Sequence, residues 1–161
     1  MNVEIKIKIK PTKKVERNIT VTATIQEAFD FVADFRNLPK WNPNDESVEL
    51  LTEGPLRLGS EFRITTSIND RKMILNYKIA EWGPPLRATY VTESKLFNAT
   101  DYINFSANQF GTELTYSADF EFKGILKLIG PIYFKPILNN LFSENIANLK
   151  NHLGFVNTET S

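Results

Sequence analysis

Hydrophobic and polar residues alternate strictly over residues 3–10 of the chain. The apolar positions are Val3, Ile5, Ile7 and Ile9, and the positions between them are Glu4, Lys6, Lys8 and Lys10. A period of two residues is typical of a strand with one face buried and the other in water. Pro11 interrupts the pattern, and a second extended stretch follows with Val15, Ile19 and Val21. The sequence therefore predicts either two strands or one long strand that bends at the proline.

At Thr24 the spacing of the apolar residues changes to that of a helix. Thr24 and Glu27 fit a capping box, in which each side chain accepts a hydrogen bond from a free backbone amide of the other residue. The apolar stripe that follows consists of Ala28, Phe29, Val32 and Phe35, broadened by Phe31. Pro39 disfavours further helix, so residues 37–43 are predicted to form a short helical turn that leads into a loop.

Residues 47–122 have the pattern of consecutive strands separated by turn signals. The predicted strands span residues 47–52, 60–68, 72–82, 86–92, 100–108 and 112–122. The connections are short, and they contain Gly, Pro, Asn or Asp, or are otherwise polar. A parallel crossover needs a dozen or more residues, so we expect an antiparallel meander.

The end of the chain, residues 125–153, has the apolar spacing of a helix. Its first half is apolar almost all round, whereas its second half narrows to a stripe. The stripe consists of Phe142, Ile146, Leu149 and Leu153. Pro131 and Pro136 predict that the main helix begins near Gly130 and that it is kinked or delayed at the second proline. The two lysines of the apolar half favour a buried helix over a membrane span.

The composition excludes several kinds of functional site. The 161 residues contain no Cys and a single His, which excludes disulfides, thiolate metal sites, Cys nucleophiles and multi-histidine metal sites. The one histidine, His152, lies at the end of the predicted last helix and is interpreted as solvated. No phosphate-binding glycine loop and no Ser nucleophile motif occurs. We therefore predict neither a cofactor nor a metal.

The 19 basic and 19 acidic residues balance, which argues against the basic surface that nucleic-acid binding requires. Residues 1–17 nevertheless hold six basic and two acidic residues. We interpret them as a solvated strand edge, with contact to phospholipid or to an acidic partner as the alternative. The acidic run Asp45, Glu46, Glu49 and Glu53 lacks the spacing of a calcium site and is also predicted to be solvated. Because the N-terminus lacks the apolar core of a signal peptide, we expect a cytoplasmic protein with no integral membrane association.

The order of these elements is that of an α+β domain with helices on one face of an antiparallel sheet. Motifs at residues 15–34, 38–43, 79–85, 111–115 and 149–153 also resemble those of a known family. Over most of its length the chain is similar to the polyketide cyclase/dehydrase family of the START-like superfamily, also called SRPBCC, helix-grip or Bet v 1-like. The resemblance implies a curved antiparallel sheet wrapped around a long C-terminal helix, with two short helices after the first strand. We expect a single domain over residues 1–154. Residues 1–12 are predicted to form a strand that is additional to the family's pattern, and the polar residues 155–161 a flexible tail.

For function, the resemblance implies an apolar cavity between sheet and last helix that holds a lipid, a polyketide or another hydrophobic molecule. The expected ligand contacts alternate inward along the strands or lie on the helices. They are Phe31, Phe35, Trp41, Phe62, Ile64, Leu75, Tyr77, Tyr90, Ile103, Tyr116, Phe120, Ile129, Tyr133 and Ile137. A buried tyrosine needs a hydrogen-bond partner, which water or a ligand in a cavity can supply. Trp41 is expected to plug one end of the cavity.

Asp101 and Tyr77 are the candidates for catalysis. If Asp101 faces inward, it is a carboxyl group in an apolar setting with a raised pKa, which suits a base that removes an acidic proton from a polyketone. A register shift of one residue places Asp101 in water and Tyr102 inside instead. The residues therefore favour binding of a hydrophobic small molecule over catalysis. A polyketide cyclase or aromatase and a protein interaction module with a filled core stay open as alternatives.

Overall fold

The computed structural model describes residues 12–154, which form a seven-stranded antiparallel sheet and three α-helices. The strands are β1 Thr12–Val21, β2 Asp45–Leu50, β3 Glu61–Ile68, β4 Arg71–Gly83, β5 Arg87–Glu93, β6 Phe97–Asn108 and β7 Gly111–Phe122. Their order in the sheet is β1-β7-β6-β5-β4-β3-β2, so the first strand pairs with the last. The meander from β2 to β7 is the one that the turn signals predict. The strand predicted over residues 3–10 and the tail at 155–161 lie outside the described residues.

Two β-bulges interrupt the sheet. One lies on β2 between Asp45 and Ser47, and the other lies on β4 between Ile79 and Glu81. An extra residue on one strand bends that strand and increases its local twist, which curves the sheet. The bulge on β2 also changes which side chains of this strand face inward. Asp45 is buried, whereas the next two residues are exposed.

The N-terminal helices lie on the concave face of the sheet. Helix α1, Ile25–Val32, begins at the predicted capping box, in which Thr24 and Glu27 bind each other's backbone amides. A 3-10 turn at Phe35–Asn37 and helix α2, Leu38–Trp41, follow directly. These elements confirm the two short helices expected after the first strand of the domain.

The last helix, α3, spans Leu126–Leu153 and includes both prolines. The start predicted near Gly130 was therefore too late. Each proline removes one hydrogen bond from the helix, but the apolar packing of this half offsets that loss. Gly130 lies against the ring of Phe122 on β7, so closely that an added Cβ atom would stand 2.8 Å from the ring. Phe134, one turn further on, stacks on the same ring at 5.4 Å between centroids.

The hydrophobic core fills the space between the concave face of the sheet, the N-terminal helices and α3. Its densest part is an aromatic cluster around Phe35, which stacks on Tyr90 at 3.7 Å between ring centroids. Phe62 and Tyr77 each lie 5.7 Å from Phe35. At the far end, the backbone N–H of Ala23 donates to the carbonyl of the last α3 residue at 3.0 Å. Within residues 12–154, no helix has the length and apolar character that a membrane span requires.

Candidate functional site

A cavity of about 120 Å³ remains unfilled between the sheet, α2 and the second half of α3. We call it the central cavity. Its apolar lining consists of Phe35, Leu38, Ile64, Ile68, Leu75, Phe97, Phe120, Leu138, Leu141, Phe142 and Ile146, together with the ring of Trp41. These residues come from the 3-10 turn, from α2, from strands β3, β4, β6 and β7, and from α3. The cavity therefore lies where the sheet, the N-terminal helices and α3 meet.

Polar side chains also line the central cavity. They are Asn42, Asn44, Asp45, Thr66, Tyr77, Asp101, Tyr116 and Asn145. Among the described residues that line it, none is Lys, Arg or His. The two carboxyl groups in the cavity therefore lack a cationic partner there. This combination of buried acids and tyrosines gives the cavity its chemical character.

Asp45 is one of the two buried acids. The amide nitrogen Nδ2 of Asn42 donates to Asp45 Oδ2 at 2.7 Å. Burial raises the pKa of Asp45 to about 6, and hydrogen bonds from Thr66 and Asn42 oppose the rise. The prediction of a solvated acidic run was wrong for Asp45 and correct for Glu46 and Glu49, which are exposed. The bulge on β2 is the physical reason, since it turns the first residue of the strand inward.

Asp101 is the second buried acid, and it lies in the middle of β6. Its exposed fraction is 6%, whereas that of Tyr102 is 37%, so of the two registers that the sequence left open β6 has the one in which Asp101 faces inward. Burial raises the pKa of Asp101 to about 7. A hydrogen bond with the Tyr77 hydroxyl opposes this rise, and the charge of Asp45 adds to it. The Asp101 carboxyl group therefore changes between its protonated and its charged form close to neutral pH.

The two cavity tyrosines keep their protons. Burial is the main reason that the pKa values of Tyr77 and Tyr116 are raised well above the ordinary value, and the charge of Asp101 raises both further. The ring of Tyr116 is held edge-on between Trp41, at 6.0 Å, and Phe142, at 5.5 Å. Both hydroxyl groups can therefore donate hydrogen bonds in the cavity across the physiological pH range.

Two buried polar atoms of the cavity lining have no hydrogen-bond partner among residues 12–154. They are Nε1 of Trp41, a donor, and Oδ1 of Asn145, an acceptor. A buried polar group without a partner costs about 1–3 kcal/mol, and native proteins rarely contain one unless water or a ligand completes it. These atoms give the wall of the central cavity one free donor and one free acceptor, which water or a ligand can satisfy.

A second cavity, of about 360 Å³, adjoins the first under the beginning of α3. We call it the outer cavity. The two cavities share the lining residues Ile68, Phe97, Phe120 and Leu138. The remaining lining of the outer cavity consists of Asn69, Arg71, Met73, Leu96, Phe122, Leu126, Tyr133 and Phe134. A ligand that extends past the four shared residues would occupy both spaces.

The structure brings together many of the residues predicted from the sequence. Those that line the central cavity are Phe35, Trp41, Ile64, Leu75, Tyr77, Asp101, Tyr116 and Phe120, and Phe120 and Tyr133 line the outer cavity. Phe62, Tyr90 and Ile103 are instead packed in the core and line neither cavity. Tyr90 needs no ligand, because its hydroxyl donates to the carbonyl oxygen of Ala33.

Three further predicted contacts also lie outside both cavities. Phe31 stacks against His152 at the surface end of the domain, at 5.2 Å between ring centroids. Ile129 is exposed and Ile137 is half-buried on α3. A helix segment that is apolar all round gives no sequence signal for which side faces the sheet, so the sequence alone could not select the α3 residues that line the cavities.

The residues that sequence reasoning missed come mainly from two places. Asn42 and Asn44 lie in the loop that follows α2, and Asp45 begins β2 within the acidic run that was predicted to be solvated. Asn145 lies on α3 among residues of the apolar stripe. Because polar residues at such positions usually face water, nothing in the local pattern distinguishes them from surface residues.

The sheet, the three helices and the enclosed cavities define a helix-grip protein of the START-like superfamily. The chain belongs to the family described as polyketide cyclase/dehydrase and lipid transport, whose sequence model matches residues 12–154. Among curated proteins, none matches this sequence.

Solved structures agree with this family at the level of the fold. A START superfamily protein from Mycobacterium smegmatis superposes with a TM-score of 0.72 at 17% identity, covering 87% of this chain and 96% of that one. The Zhui aromatase/cyclase from Streptomyces sp. R1128 gives 0.69 at 17% identity, covering 88% and 91%. The di-domain aromatase/cyclase StfQ of steffimycin biosynthesis gives 0.71 at 15% identity, and this chain spans half of its length.

Proposed function

We propose that this protein binds a hydrophobic small molecule, such as a lipid or a polyketide, in the central and outer cavities. The single observation that carries the proposal is the pair of polar atoms without a partner among the described residues, Trp41 Nε1 and Asn145 Oδ1, on the wall of a cavity whose lining is mostly apolar. A ligand with an apolar body and at least one polar group satisfies both parts of this lining. The family description and the START-like fold support the same proposal.

Apolar burial would supply most of the binding free energy. A ligand that buries about 300 Å² of apolar surface gains about 7 kcal/mol from transfer out of water, before the cost of association is subtracted. The polar groups of Tyr77, Tyr116 and Asn145 would then fix the orientation of the ligand rather than its affinity. We propose that transport or sequestration of the bound molecule follows from this binding.

Filling the central cavity should abolish binding without unfolding the protein. Leu141→Trp places a larger ring at a half-buried position of the cavity wall. We expect native mass spectrometry to show a co-purifying apolar molecule on the unaltered protein and at least a tenfold lower occupancy on this variant. The matched control is Ile74→Trp, at a position of β4 that is 67% exposed, and it should keep full occupancy.

The outcomes of this experiment separate the possibilities clearly. Unaltered protein that is empty after purification, and that shows no mass shift with added fatty acids, sterols or polyketides, contradicts the proposal. Equal occupancy in both tryptophan variants places the ligand outside the central cavity and contradicts it as well. Thermal unfolding of each variant shows whether the fold is retained.

A cyclase or aromatase is the second candidate, and the paired Asp101 and Tyr77 inside the cavity favour it. Asp101 would remove a proton from a carbon between two carbonyl groups of a poly-β-ketone, leaving an enolate that forms a carbon–carbon bond to another carbonyl of the same chain. Tyr77 would donate a hydrogen bond to an oxygen that gains negative charge. A base with a pKa of about 7 is well matched to this step at neutral pH.

Turnover of a synthetic poly-β-ketone thioester distinguishes an enzyme from a carrier. If Asp101 is the base, Asp101→Asn lowers kcat by about 10²–10⁴-fold and leaves the Kd for the substrate nearly unchanged. The control is Glu113→Gln, an exposed carboxyl group on β7, which should change neither value. Product formation that Asp101→Asn leaves unaltered excludes this mechanism, and no turnover by the unaltered protein leaves the carrier as the function.

A protein interaction module, the third possibility raised by the sequence, is expected to have a filled core. The two cavities argue against it. We further propose that the protein is cytoplasmic and, because its 19 basic and 19 acidic residues balance, that it does not bind nucleic acid.

A further inference from the structure

The first half of α3 carries an apolar surface that faces away from the protein. Ile132 is 81% exposed, Leu128 is 79% exposed and Ile125, just before the helix, is 75% exposed. Ile129 and Tyr133 are each more than half exposed on the same side. Spacings of three, four, seven and eight residues place these five side chains on one helix face. We call them the α3 patch.

The side chains of the α3 patch do not belong to the hydrophobic core, because the opposite side of the same helix is the one that packs against the sheet. Gly130 and Leu138 are buried, and Phe134 stacks on Phe122 of the sheet. The helix is thus apolar on the face toward the protein and on the face toward the solvent. A contiguous patch of five large, exposed apolar residues usually marks a surface that binds a partner or a membrane.

Positive charge accompanies the α3 patch. Residues 122–143 contain three lysines and no Asp or Glu. Lys127 and Lys135 lie on the exposed part of α3 within this segment, and no salt bridge to either is found among the described residues. The third, Lys123, is held by Glu93 at 3.2 Å. Lys135 lies three residues after Ile132 and seven after Leu128, so it flanks the α3 patch, whereas Lys127 lies two residues from Ile125 and from Ile129, on the other side of the helix. An apolar helix face with a lysine at its flank and no acidic residue nearby in sequence is typical of a helix that lies in an anionic lipid–water interface.

The α3 patch also borders the outer cavity. Tyr133 belongs to the patch and lines the outer cavity, and Leu126, between Ile125 and Leu128, lines it too. The outer cavity in turn adjoins the central cavity. A surface that contacts lipid at this point lies next to the place where an apolar molecule would enter or leave.

We propose that the α3 patch docks this protein on the surface of an anionic lipid bilayer, with its apolar side chains in the interface and Lys135 against the lipid phosphates. A second copy of the chain fits the surface less well. A two-fold contact between α3 patches would bring the lysines of both copies together, and this segment offers no acidic side chain to neutralise them. The docking does not require the proposed ligand binding, although it would give that binding a route to and from lipid.

Co-sedimentation with vesicles tests the proposal. The protein should bind vesicles of equimolar phosphatidylcholine and phosphatidylglycerol, and bind vesicles of pure phosphatidylcholine at least fivefold more weakly. Leu128→Ser with Ile132→Ser should weaken binding to the anionic vesicles at least tenfold. Leu58→Ser with Ile74→Ser is the matched control, since both residues are exposed apolar positions outside the patch, and it should bind as the unaltered protein does.

The charge is tested separately with single variants. Lys135→Gln should weaken partitioning about fivefold, whereas Lys78→Gln, at an exposed lysine on β4, should leave it unchanged. All substituted positions are exposed, so unchanged thermal unfolding confirms that each variant is folded.

Equal binding of the patch variant and its control to the anionic vesicles overturns the proposal. So does a dimer in sedimentation analysis that the patch variant alone abolishes, because the partner is then a second copy. Since empty vesicles are used, failure here leaves ligand binding in the cavities intact, and an empty cavity in native mass spectrometry leaves the docking result intact.

Discussion

Phe35→Ala is expected to lower the free energy of unfolding by about 3–5 kcal/mol, measured by urea denaturation. Phe35 is almost fully buried, and its ring stacks on Tyr90 and contacts Phe62 and Tyr77. Truncation removes these contacts and leaves a void that the surrounding strands cannot close. The void joins the central cavity, which Phe35 lines. Added benzene or indole should therefore raise the urea midpoint of this variant more than that of the unaltered protein.

Phe31→Ala is the matched control for this prediction. Phe31 is the same residue type and lies close in sequence, but it is only half-buried and contacts His152 and Lys40 outside both cavities. We expect a loss of about 1 kcal/mol and no rescue by aromatic ligands. Equal losses in the two variants would contradict the assignment of Phe35 to the centre of the core.

Asp101→Asn is expected to stabilise the protein above neutral pH. The pKa of Asp101 is about 7 in the folded protein and 3.8 for an ordinary Asp, so between these values the folded state retains a proton that the unfolded chain has lost. Raising the pH through this range therefore lowers the free energy of unfolding, and the loss is complete once the pH exceeds the folded-state pKa. An asparagine side chain has no ionisable proton, so the Asp101→Asn variant does not lose this part of its free energy of unfolding as the pH rises.

Urea denaturation as a function of pH measures this effect. At about pH 8 the Asn variant should be more stable than the unaltered protein by about 2–4 kcal/mol, and near pH 4 the two should nearly coincide. Glu113→Gln, on the exposed face of β7, should show no such pH-dependent difference. A constant difference between Asp101→Asn and the unaltered protein at all pH values would show that Asp101 titrates normally.

Most of the fold follows from the sequence because its signals are local and repeated. The alternation of Asp101, Ile103 and Phe105 places all three on the buried side of β6, and the structure agrees. The capping box at Thr24 and the turn residues between strands define where elements begin and end. A slip of one residue in register would expose an entire hydrophobic face, so the prediction of register is robust wherever one face is apolar.

The candidate site is predicted less completely, since it depends on departures from regular patterns. Asp45 faces inward only because a bulge shifts β2 at its first residues, and no local signal in an acidic run announces a bulge. Tyr90 was expected to need a partner in the cavity, but its partner is a backbone carbonyl of the segment after α1, far away in sequence. The orientation of Ile129 cannot be predicted from a helix that is apolar on every side.

The close contact between Gly130 and Phe122 has a consequence for the shape of the outer cavity. A single methyl group at position 130 would stand 2.8 Å from the Phe122 ring, so the ring or the beginning of α3 would have to move. Phe122 lines the outer cavity, and it also pairs with Phe97 between β6 and β7. The absence of a side chain at position 130 therefore sets how closely α3 approaches this end of the sheet, and with it the height of the outer cavity at this point.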